Sequence, residues 1–314
     1  MKKVAALVVT YNRINKLKVV LDKYLSSNIY SIVIVDNAST DDTREFLSNL
    51  SDKRIQVLTL SENTGGSGGF HTGLKYIHEA LRDYEWVILQ DDDAYPDVDK
   101  LNEFIVAVDP IKADVLMSAV YYPSGKISEM NKPGYLPFKN FNQSIKTFLR
   151  GNKGFHIPDE LYLSKSLHEV DFASFVGLFV SKNVVERVGY PEKEWFIYGD
   201  DLDYSISITQ ANYKIYFDPN LIFLHDCESL NNTGNAKLYT ALWRVYYTYR
   251  NGLIIYRKIS GALFPLVAVY KITIWLLLCK NYKEKLKYLK LTVYAIYDGF
   301  KCNRTRSLED IRKL

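Results

Sequence analysis

Hydrophobic and polar positions in the first third of the chain alternate between a buried-strand pattern and a helical period. Four apolar runs predict strands: "KVAALVVTY", "YSIVIVD", "IQVLTL" and "WVILQ". Between them, "NRINKLKVVLDKYLSS" and "HTGLKYIHEALRD" predict helices, and "NASTDDTREFLSNL" opens another with Ser39 or Thr40 as N-cap. This order predicts a doubly wound, mostly parallel α/β sheet with helices on both faces. The apolar run at the N-terminus is therefore interpreted as a strand and not as a signal peptide.

Polar residues follow several of these strands. Thr10 ends the first strand, Asp36 ends the second, and Asp91 to Asp93 follow the fourth. Because ligands of such sheets bind at the carboxyl ends of the strands, these residues are expected to line one crevice. The segment "NTGGSGGF", residues 63–70, is expected to form a glycine-rich turn before a helix, where an anion can bind.

The remainder of the chain is less regular until its C-terminal part. Residues 110–170 contain Pro/Gly turns and an aromatic-rich loop, and residues 171–190 predict a strand and a helix. Residues 194–226 predict an acidic turn, a helix and a strand pair that ends in His225. From Tyr239 onward the pattern is helical. We expect two domains, residues 1–235 and a helical appendage over residues 236–314.

Composition adds a charge asymmetry to this picture. The 314 residues are 47% hydrophobic and 24% charged, which is an ordinary globular balance. Three scattered cysteines favour a reducing compartment and do not suggest a zinc knuckle. Residues 258–314 contain 12 Lys/Arg and 4 Asp/Glu, so they carry +8, and the overall charge of +4 leaves −4 for the rest. Such a basic tail favours an anionic partner.

The tail is also apolar, which favours a membrane surface over nucleic acid. The run "GALFPLVAVYKITIWLLLC" contains Lys271 in its middle and Pro265 near its start. A charge near the bilayer centre costs about 3 kcal/mol, so a spanning helix is disfavoured. A basic amphipathic helix that lies in the membrane interface is the better interpretation, and a buried C-terminal helix pair is the alternative.

The acidic run "DDD" offers the clearest chemistry. Three adjacent carboxylates repel one another, and a solvated turn is the simplest explanation for them. A divalent cation explains them better, because it would offset the repulsion. Mg²⁺ or Mn²⁺ would complete its coordination with phosphate oxygens and water, which points to a nucleotide diphosphate.

Three further sites are ambiguous from the residues alone. Asp36 can cap a helix or accept hydrogen bonds from a base or ribose. In "YGDDLDY", which contains Asp200, Asp201 and Asp203, one carboxylate is expected to act as a base, one to cap the helix and one to point away. His225 ends an apolar strand at the same rim as the acids, so a ligand role is favoured over a purely structural one.

Together these segments resemble a family 2 glycosyltransferase of the GT-A fold. "VVTYNR", "VDNAST", "NTGGSGG" and "DDD" carry the general resemblance. The longer segments "WVILQDDDAYPD", "WFIYGDDLDY", "LHD" and "YYTYRNGL" are similar to the polymerising galactofuranosyltransferases. The resemblance covers about residues 1–255, and the rest matches only in being helical and basic-apolar.

This resemblance implies a role for each matching residue. Asp91, Asp93 and His225 would hold the metal, and Asp92 would lie beside the ribose and diphosphate. Asp201 would be the general base. The other implied nucleotide contacts are Thr10, Arg13, Asp36, Asn63, Gly65 and Gly66.

Two departures from the galactofuranosyl pattern concern the acceptor side. Those relatives carry a tryptophan just before the paired acids, where this chain has Gly199. They also have a tryptophan pair upstream, where this chain reads "FASFVG", residues 172–177. Such aromatics help to hold the acceptor sugar, so the resemblance informs donor handling more than acceptor choice.

The resemblance implies an inverting, metal-dependent enzyme. It would transfer galactofuranose from UDP-galactofuranose to a hydroxyl of a growing, lipid-linked glycan. Its place would be the cytoplasmic side of a bacterial cell membrane. A rhamnosyltransferase that uses dTDP-rhamnose is the alternative within the class.

Two other classes predict different sequences. A sugar nucleotidyltransferase would place a basic, glycine-rich loop after the first strand, where this chain reads "TYNR". A non-catalytic sugar-binding protein would not need a metal set and a separate acidic turn.

Overall fold

The first four strands form the parallel half of the sheet, as the alternating pattern predicts. The structure, a computed structural model, describes residues 1–107, 113–227 and 238–314. These strands stand in the order β3-β2-β1-β4, and every pair is parallel. Their bounds are β1 Val4–Thr10, β2 Ser31–Asp36, β3 Ile55–Thr59 and β4 Trp86–Asp91. The helices between them are α1 Ile14–Leu25, α2 Thr43–Ser48 and α3 Gly65–Tyr76, which continues as a π-helix over Ile77–Leu81.

The second half of the sheet is mixed. Within the described residues it extends the sheet to nine strands, in the order β4-β8-β6-β9-β5 with β7 also on β9. Only β6 and β9 pair in parallel there; the other pairs are antiparallel. The bounds are β5 Ala94–Pro96, β6 Val115–Tyr121, β7 His168–Val170, β8 Leu178–Ser181 and β9 Ile215–His225. Helices α4 (Val98–Val106), α6 (Lys182–Val188) and α7 (Asp200–Gln210) connect them.

The predicted strand pair before His225 is wrong, because the segment is one long strand. The register between β6 and β9 jumps from Ser118 opposite Asp218 to Ala119 opposite Ile222. Pro219 lies where the register shifts. Proline has no backbone N–H, and at this irregular position no hydrogen bond of the sheet is lost. The chain therefore bulges at "DPN" and continues in the same direction to His225.

The glycine-rich segment also differs from its prediction. Helix α3 begins at Gly65, so the glycines lie inside the helix and do not form a turn before it. A Cβ on Gly73 would lie 2.1 Å from Cδ1 of Leu7 and 2.9 Å from Cγ2 of Val35. The absence of a side chain at Gly73 therefore allows α3 to pack closely on β1 and β2.

The described chain divides into two compact units. The first comprises residues 1–135, 156–193 and 201–229, and the second comprises residues 136–155, 194–200 and 230–314. The predicted domain boundary between residues 235 and 236 lies outside the described residues, so the division into 1–235 and 236–314 stays a prediction.

The second unit is helical and has its own aromatic core. Tyr249 stacks on Trp275 with ring centroids 4.2 Å apart, and the hydroxyl groups of Tyr249 and Tyr288 form a hydrogen bond of 2.7 Å. Buried Asp298 accepts hydrogen bonds from Tyr246 and Arg306. The helices of this unit are α5 Phe141–Arg150, α8 Trp243–Ser260, α9 Phe264–Leu278, α10 Lys285–Lys301 and α11 Leu308–Arg312.

The helical stretch Trp243–Asn281 is long and apolar enough to cross a membrane, by length and composition. It is not one straight helix, because α8 ends at Ser260 and a short 3₁₀ turn, Gly261–Leu263, precedes α9. Much of α8 is buried in the core of its unit, so α8 serves as a core helix.

Candidate active site

The carboxyl ends of β1, β2 and β4 lie side by side at one edge of the sheet. Thr10, the last residue of β1, pairs with Asp36, the last residue of β2. Val9 pairs with Asp91, the last residue of β4. The register thus brings predicted site residues to neighbouring strand ends, where α/β sheets bind their ligands.

Asp92 is the most buried carboxylate of the acidic run. Its Oδ2 accepts hydrogen bonds from Oγ1 of Thr10 at 2.7 Å and from the backbone N of Tyr11 at 3.4 Å. Nη1 of Arg13 lies 3.2 Å from its other oxygen. Burial raises the pKa of Asp92 to about 6, although Arg13 and Thr10 oppose that rise. Asp92 is therefore mostly ionised at pH 7.

Asp93 lies between two cationic groups. Nη1 of Arg13 donates to its Oδ2 at 2.5 Å, and Nε2 of His225 donates to its Oδ1 at 3.1 Å. Burial favours the neutral acid, but the hydrogen bond from His225 and the charge of Arg13 outweigh it and lower the pKa of Asp93. Burial likewise disfavours the charged form of His225, but the bond to Asp93 raises its pKa to about 10. The two residues therefore form an ion pair.

The far side of the sheet places His225 beside the acids. β5 directly follows the acidic run, and its Ala94 pairs with His225 of β9. The backbone N of Asp226 donates to the carbonyl oxygen of Asp93 at 2.8 Å. Nδ1 of His225 donates to Oδ1 of Asn131 at 2.7 Å, which fixes the ring. Residues more than a hundred positions apart thus meet in one site.

Asp91 differs from its two neighbours in its preferred charge. Burial and the negative charge of Asp93 raise the pKa of Asp91 to about 7. Near neutral pH, part of the population therefore carries a proton on Asp91. The positive charges of Arg13 and His225 offset part of the repulsion within the acidic run, and the divalent cation expected there stays a prediction.

Asp36 organises the turn after β2. It is fully buried, and it accepts hydrogen bonds from the backbone N of Ser39 at 2.9 Å and from Nε of Arg44 at 3.1 Å. Helix α2 begins at Thr43 and has no side-chain cap, so the predicted N-cap at Ser39 or Thr40 is wrong. The helix-capping role weighed for Asp36 is also wrong, because Asp42 stands at the N-cap position and Asp36 accepts its hydrogen bonds from Ser39 and Arg44. The nucleotide contact of Asp36 stays a prediction.

Asn37 ties the start of α3 to the end of β2. Its amide nitrogen donates to Oδ1 of Asn63 at 3.2 Å and to the carbonyl oxygen of Gly65 at 2.8 Å. A Cβ on Gly66 would meet no atom within 4 Å, so that position faces open space. Asn37 is not among the predicted site residues, although its place directly after the predicted strand in "VDNAST" is a signal for such a role.

Asp201 lies in the first turn of α7. Burial raises its pKa to about 6, against the opposing effect of the backbone N–H of Leu202, which donates to Oδ1 at 2.8 Å. Such a carboxylate is ionised at pH 7 yet remains basic enough to accept a proton.

The turn that leads into α7 has an unusual backbone. Phe196 and Tyr198 have φ of 67° and 66°, and Gly199 has φ of 87°. Left-handed φ values in aromatic residues are costly and persist only where surrounding structure enforces them. A Cβ on Gly199 would lie 2.6 Å from Cδ1 of Ile255. A tryptophan at this position, as in the galactofuranosyl pattern, would therefore require a different arrangement of the turn.

Two consecutive residues of α8 hold this turn. The amide nitrogen of Asn251 donates to the carbonyl oxygens of Trp195, Ile197 and Tyr198 at 3.2, 2.8 and 2.7 Å. Arg250 donates through Nη2 to the carbonyl oxygen of Trp195 at 3.0 Å and through Nε to Oδ1 of Asn251 at 2.7 Å. In the sequence, the segment "YYTYRNGL" shows only a resemblance to the galactofuranosyltransferases. The hydrogen bonds from Arg250 and Asn251 to the turn were not predictable from spacing along the chain.

Two members of the predicted metal set have the spacing of neighbouring ligands. Oδ1 of Asp93 and Nε2 of His225 lie 3.1 Å apart. Adjacent ligands of an octahedral ion with bonds of about 2.1 Å would lie about 3.0 Å apart. In the part of the chain that is described, however, no group of three or more His, Cys, Asp and Glu residues is arranged to hold a metal ion. A carboxylate oxygen and an imidazole nitrogen are donors that fit a divalent cation, which would take the place of the proton between Asp93 and His225. The full set with Asp91 stays a prediction.

A family comparison decides the class of this site. The profile of glycosyl transferase family 2 matches residues 5–171, slightly more than half of the 314 residues. The chain belongs to this family. It is therefore a glycosyltransferase, and the resemblance inferred from its motifs is confirmed.

Relatives of this family 2 glycosyltransferase act on different sugars. The dTDP-rhamnosyl transferase RfbF of Shigella flexneri is 24% identical over 303 residues, which cover 94% of this chain and 95% of that protein. The galactofuranosyltransferase GlfT1 of Mycolicibacterium smegmatis is 23% identical over 265 residues, which cover 79% of this chain and 81% of that protein. Both relatives are glycosyltransferases, and they differ in the sugar that their names state.

Solved structures confirm the GT-A fold predicted for the family 2 domain. S. aureus TarS 1-349 in complex with UDP-GlcNAc has a TM-score of 0.56 at 15% identity and covers 95% of this chain and 81% of that chain. GalNAc-T7 with UDP, GalNAc and Mn²⁺ has a TM-score of 0.55 at 12% identity. That match covers 83% of this chain but only 52% of the GalNAc-T7 chain. At such identities the likeness establishes the fold alone.

We expect Arg13→Ala to destabilise the enzyme by about 1–2 kcal/mol in buffer that contains a chelator. Removal of one partner of a fully buried pair costs more, but the side chain of Arg13 is 48% exposed, and solvent reduces the effect. Urea denaturation measures the change. Lys214→Ala, which breaks an exposed ion pair with Glu169, is the control and should leave stability close to that of the wild type. Equal stability of Arg13→Ala and wild type would contradict the counter-charge role.

Proposed function

We propose that this family 2 glycosyltransferase transfers a hexose, with inversion, from a nucleoside-diphosphate sugar to a hydroxyl of a growing glycan. The observation that carries the proposal is the pair of acids Asp92 and Asp93. Both lie buried at the carboxyl edge of the sheet, where Arg13 and His225 stabilise their charge. Such a site presents ionised carboxylates, which can bind a cation, next to a cationic side chain, which can bind a diphosphate.

The donor nucleotide would lie along the ends of β1, β2 and β4. In this proposal Thr10, Asp36 and Asn63 contact the nucleoside, and Asp92 lies on its ribose and diphosphate side. Gly65 and Gly66 open helix α3, whose N-terminal backbone N–H groups favour an anion. Arg13 is half-exposed, so it can turn from the carboxylates toward a bound phosphate.

A divalent cation, Mn²⁺ or Mg²⁺, completes the proposal. Asp91, Asp93 and His225 would hold it, and when bound it would act as a Lewis acid on the departing diphosphate. Mn²⁺ accompanies UDP in the related GalNAc-T7 structure, which supports a cation of this kind here.

Asp201 is the proposed general base. It would take the proton of the acceptor hydroxyl while that oxygen attacks the anomeric carbon on the face opposite the diphosphate. A single in-line displacement inverts the configuration, so one base suffices. A positioned base of this kind contributes roughly 10²–10⁴-fold to the rate.

UDP-galactofuranose is the proposed donor, because the glycine segment and the triple Asp resemble the galactofuranosyltransferases. dTDP-rhamnose is the second candidate. A specific observation favours it: the match to RfbF extends over 94% of this chain, whereas the match to GlfT1 covers 79%. The glycan acceptor would be lipid-linked and would be met at the cytoplasmic side of a bacterial membrane. The basic, apolar region over residues 236–314 would attach the enzyme there.

A donor screen in the presence of Mn²⁺ tests the proposed reaction. We expect UDP release from UDP-galactofuranose that depends on a glycan acceptor and is lost when a chelator removes the cation. Release of dTDP from dTDP-rhamnose alone would make the second candidate the donor. Release of neither nucleotide with any donor and acceptor would contradict glycosyl transfer.

We expect Asp201→Asn to lower kcat by 10²-fold or more while nucleotide binding is unchanged, because only the proton acceptor is lost. In the wild type, kcat/KM should fall tenfold per pH unit below about pH 6. Activity falls as the pH falls because the general base must be ionised, and burial raises the pKa of Asp201 to about 6. Calorimetric titration with UDP and pH-dependent kinetics measure the two effects. An Asn variant that turns over normally would rule out Asp201 as the base.

A further inference from the structure

Helix α5 is amphipathic, but its polar side is buried and its apolar side is exposed. Its buried side chains are the polar Ser144 and Thr147. Phe141 is 73% exposed and Leu149 is 80% exposed. Ile145 and Phe148 are also exposed, and the positions i, i+4, i+7 and i+8 lie on one face of a helix. A water-soluble surface normally hides such an apolar stripe.

This stripe continues onto α9. The ring of Phe148 packs edge-on against that of Tyr270, with centroids 5.4 Å apart. Leu266 and Val269 of α9 are each 66% exposed. We define the α5–α9 face as Phe141, Ile145, Leu149, Leu266, Val269 and Tyr270.

Exposed or half-exposed cationic side chains lie on α9 and on the segment that follows it. Nζ of Lys271 lies 5.0 Å from the ring centroid of Tyr256 and 5.8 Å from that of Tyr270, so its charge lies over aromatic rings at this face. The segment from the end of α9 into α10 adds an exposed lysine cluster with one acidic residue among its members. Its lysines are Lys280, Lys283, Lys285, Lys287 and Lys290. Anionic lipid headgroups are the partner that this charge favours.

We infer that the α5–α9 face inserts into the interfacial layer of an anionic lipid bilayer, with α5 as an insertion element separate from the C-terminal region. The inference extends the proposed membrane attachment, which involved residues 236–314 only. Apolar side chains on two adjoining helices enter the acyl boundary, and the lysines remain at the headgroups. The face thereby brings the second unit to the surface where a lipid-linked acceptor resides.

Flotation of the full chain with phosphatidylglycerol-containing vesicles tests this inference. We expect the wild type to float with these vesicles and to bind pure phosphatidylcholine vesicles weakly. The double variant Phe141→Glu/Leu149→Glu should bind at least roughly tenfold more weakly, because two large apolar side chains no longer leave water. Leu163→Glu is the matched control: Leu163 is 86% exposed but belongs to the first unit, and this change should leave binding intact. Circular dichroism and turnover with a soluble acceptor confirm that each variant folds.

The outcomes separate the two proposals. A wild type that does not float would overturn the membrane attachment itself. A wild type that floats together with an equally bound α5 variant would overturn only the role of α5. Light scattering identifies the other occupant: a wild-type dimer that the α5 variant dissociates, without flotation, would assign the face to a second copy of the chain.

Two buried side chains of α8 bind the turn before α7. Asn251 is 1% exposed and Arg250 is fully buried. Because Nε of Arg250 donates to Oδ1 of Asn251, the amide can only direct its NH₂ group at the turn. The guanidinium lies 4.9 Å from the ring centroid of Tyr247, which fixes its plane. The amide therefore meets the backbone carbonyls in one orientation.

We also propose that Asn251 is a positioning residue for the general base. Its hydrogen bonds to three carbonyl oxygens hold the turn in which Phe196 and Tyr198 have positive φ, and the chain runs from this turn directly into α7. Asp201 lies in that first turn, so Asn251 acts through the backbone on the proton acceptor. This proposal rests on the assignment of Asp201 as the base.

Kinetics of Asn251→Asp and Asn251→Ala test the positioning role. Asp has the same shape as Asn and accepts the bond from Arg250, but it cannot donate to the carbonyls. We expect kcat to fall on the order of 10²-fold in both variants, with KM for the donor within about threefold of wild type. Asn303→Ala removes an amide hydrogen bond to Asp298 in the same unit and should keep kcat. If Asn251→Ala does not fold, the isosteric Asp variant carries the test.

The double variant Asp201→Asn/Asn251→Ala completes the design. It should be no more than about threefold slower than Asp201→Asn alone, because a misplaced base that is already absent costs nothing further. A normal kcat in both Asn251 variants, with a lowered melting temperature, would reduce Asn251 to a structural residue. Full activity of Asp201→Asn would instead overturn the base assignment.

Discussion

Three consecutive carboxylates at the end of a buried strand are the constraint on which the site depends. Two such charges about 4 Å apart repel by roughly 4 kcal/mol at an effective dielectric constant of 20. The chain offsets this repulsion with Arg13 from the first loop and His225 from the last strand. Each counter-charge comes from a distant part of the sequence, so the electrostatics of "DDD" require the whole sheet. The order of the strands is therefore part of the chemistry of the site.

The parallel half of the sheet was predictable because its signals are local. Apolar runs with helical segments between them determine both the strands and the edge at which Thr10, Asp36 and Asp91 meet. Three features were not predictable, since each depends on packing between elements: the place of the glycines inside α3, the bulge in β9 and the contacts of Asn37. Likewise, "DDD" pointed to a counter-charge, but the identity of that charge depends on where Arg13 and His225 lie. The place of His225 at the end of its strand predicted that it lies at the rim of the acids, but spacing along the chain does not show which carboxylates Arg13 and His225 contact.

The acceptor side shows why resemblance alone reaches only part of the function. Residues 195–199 adopt a backbone in which two aromatic residues have positive φ and Gly199 faces Ile255. A related enzyme with a tryptophan at that position cannot share this local arrangement. The residues proposed to contact the nucleotide lie on strand ends, whose positions the sheet determines. Residues 195–199 lie on a turn, whose backbone depends on the individual residues in it.

The second unit combines two properties that the proposed lipid-linked acceptor would require. Helix α8 holds the turn that precedes α7 through its buried Asn251 and Arg250. Helix α9 packs beside α8 through Trp275 and Tyr249 and presents its other side to solvent with large apolar residues. A lipid anchor would deliver its sugar close to the membrane surface, so the unit proposed to contact lipid is the unit best suited to govern such an acceptor. The nucleotide is water-soluble, and the proposed donor residues belong to the first unit, which has no such need.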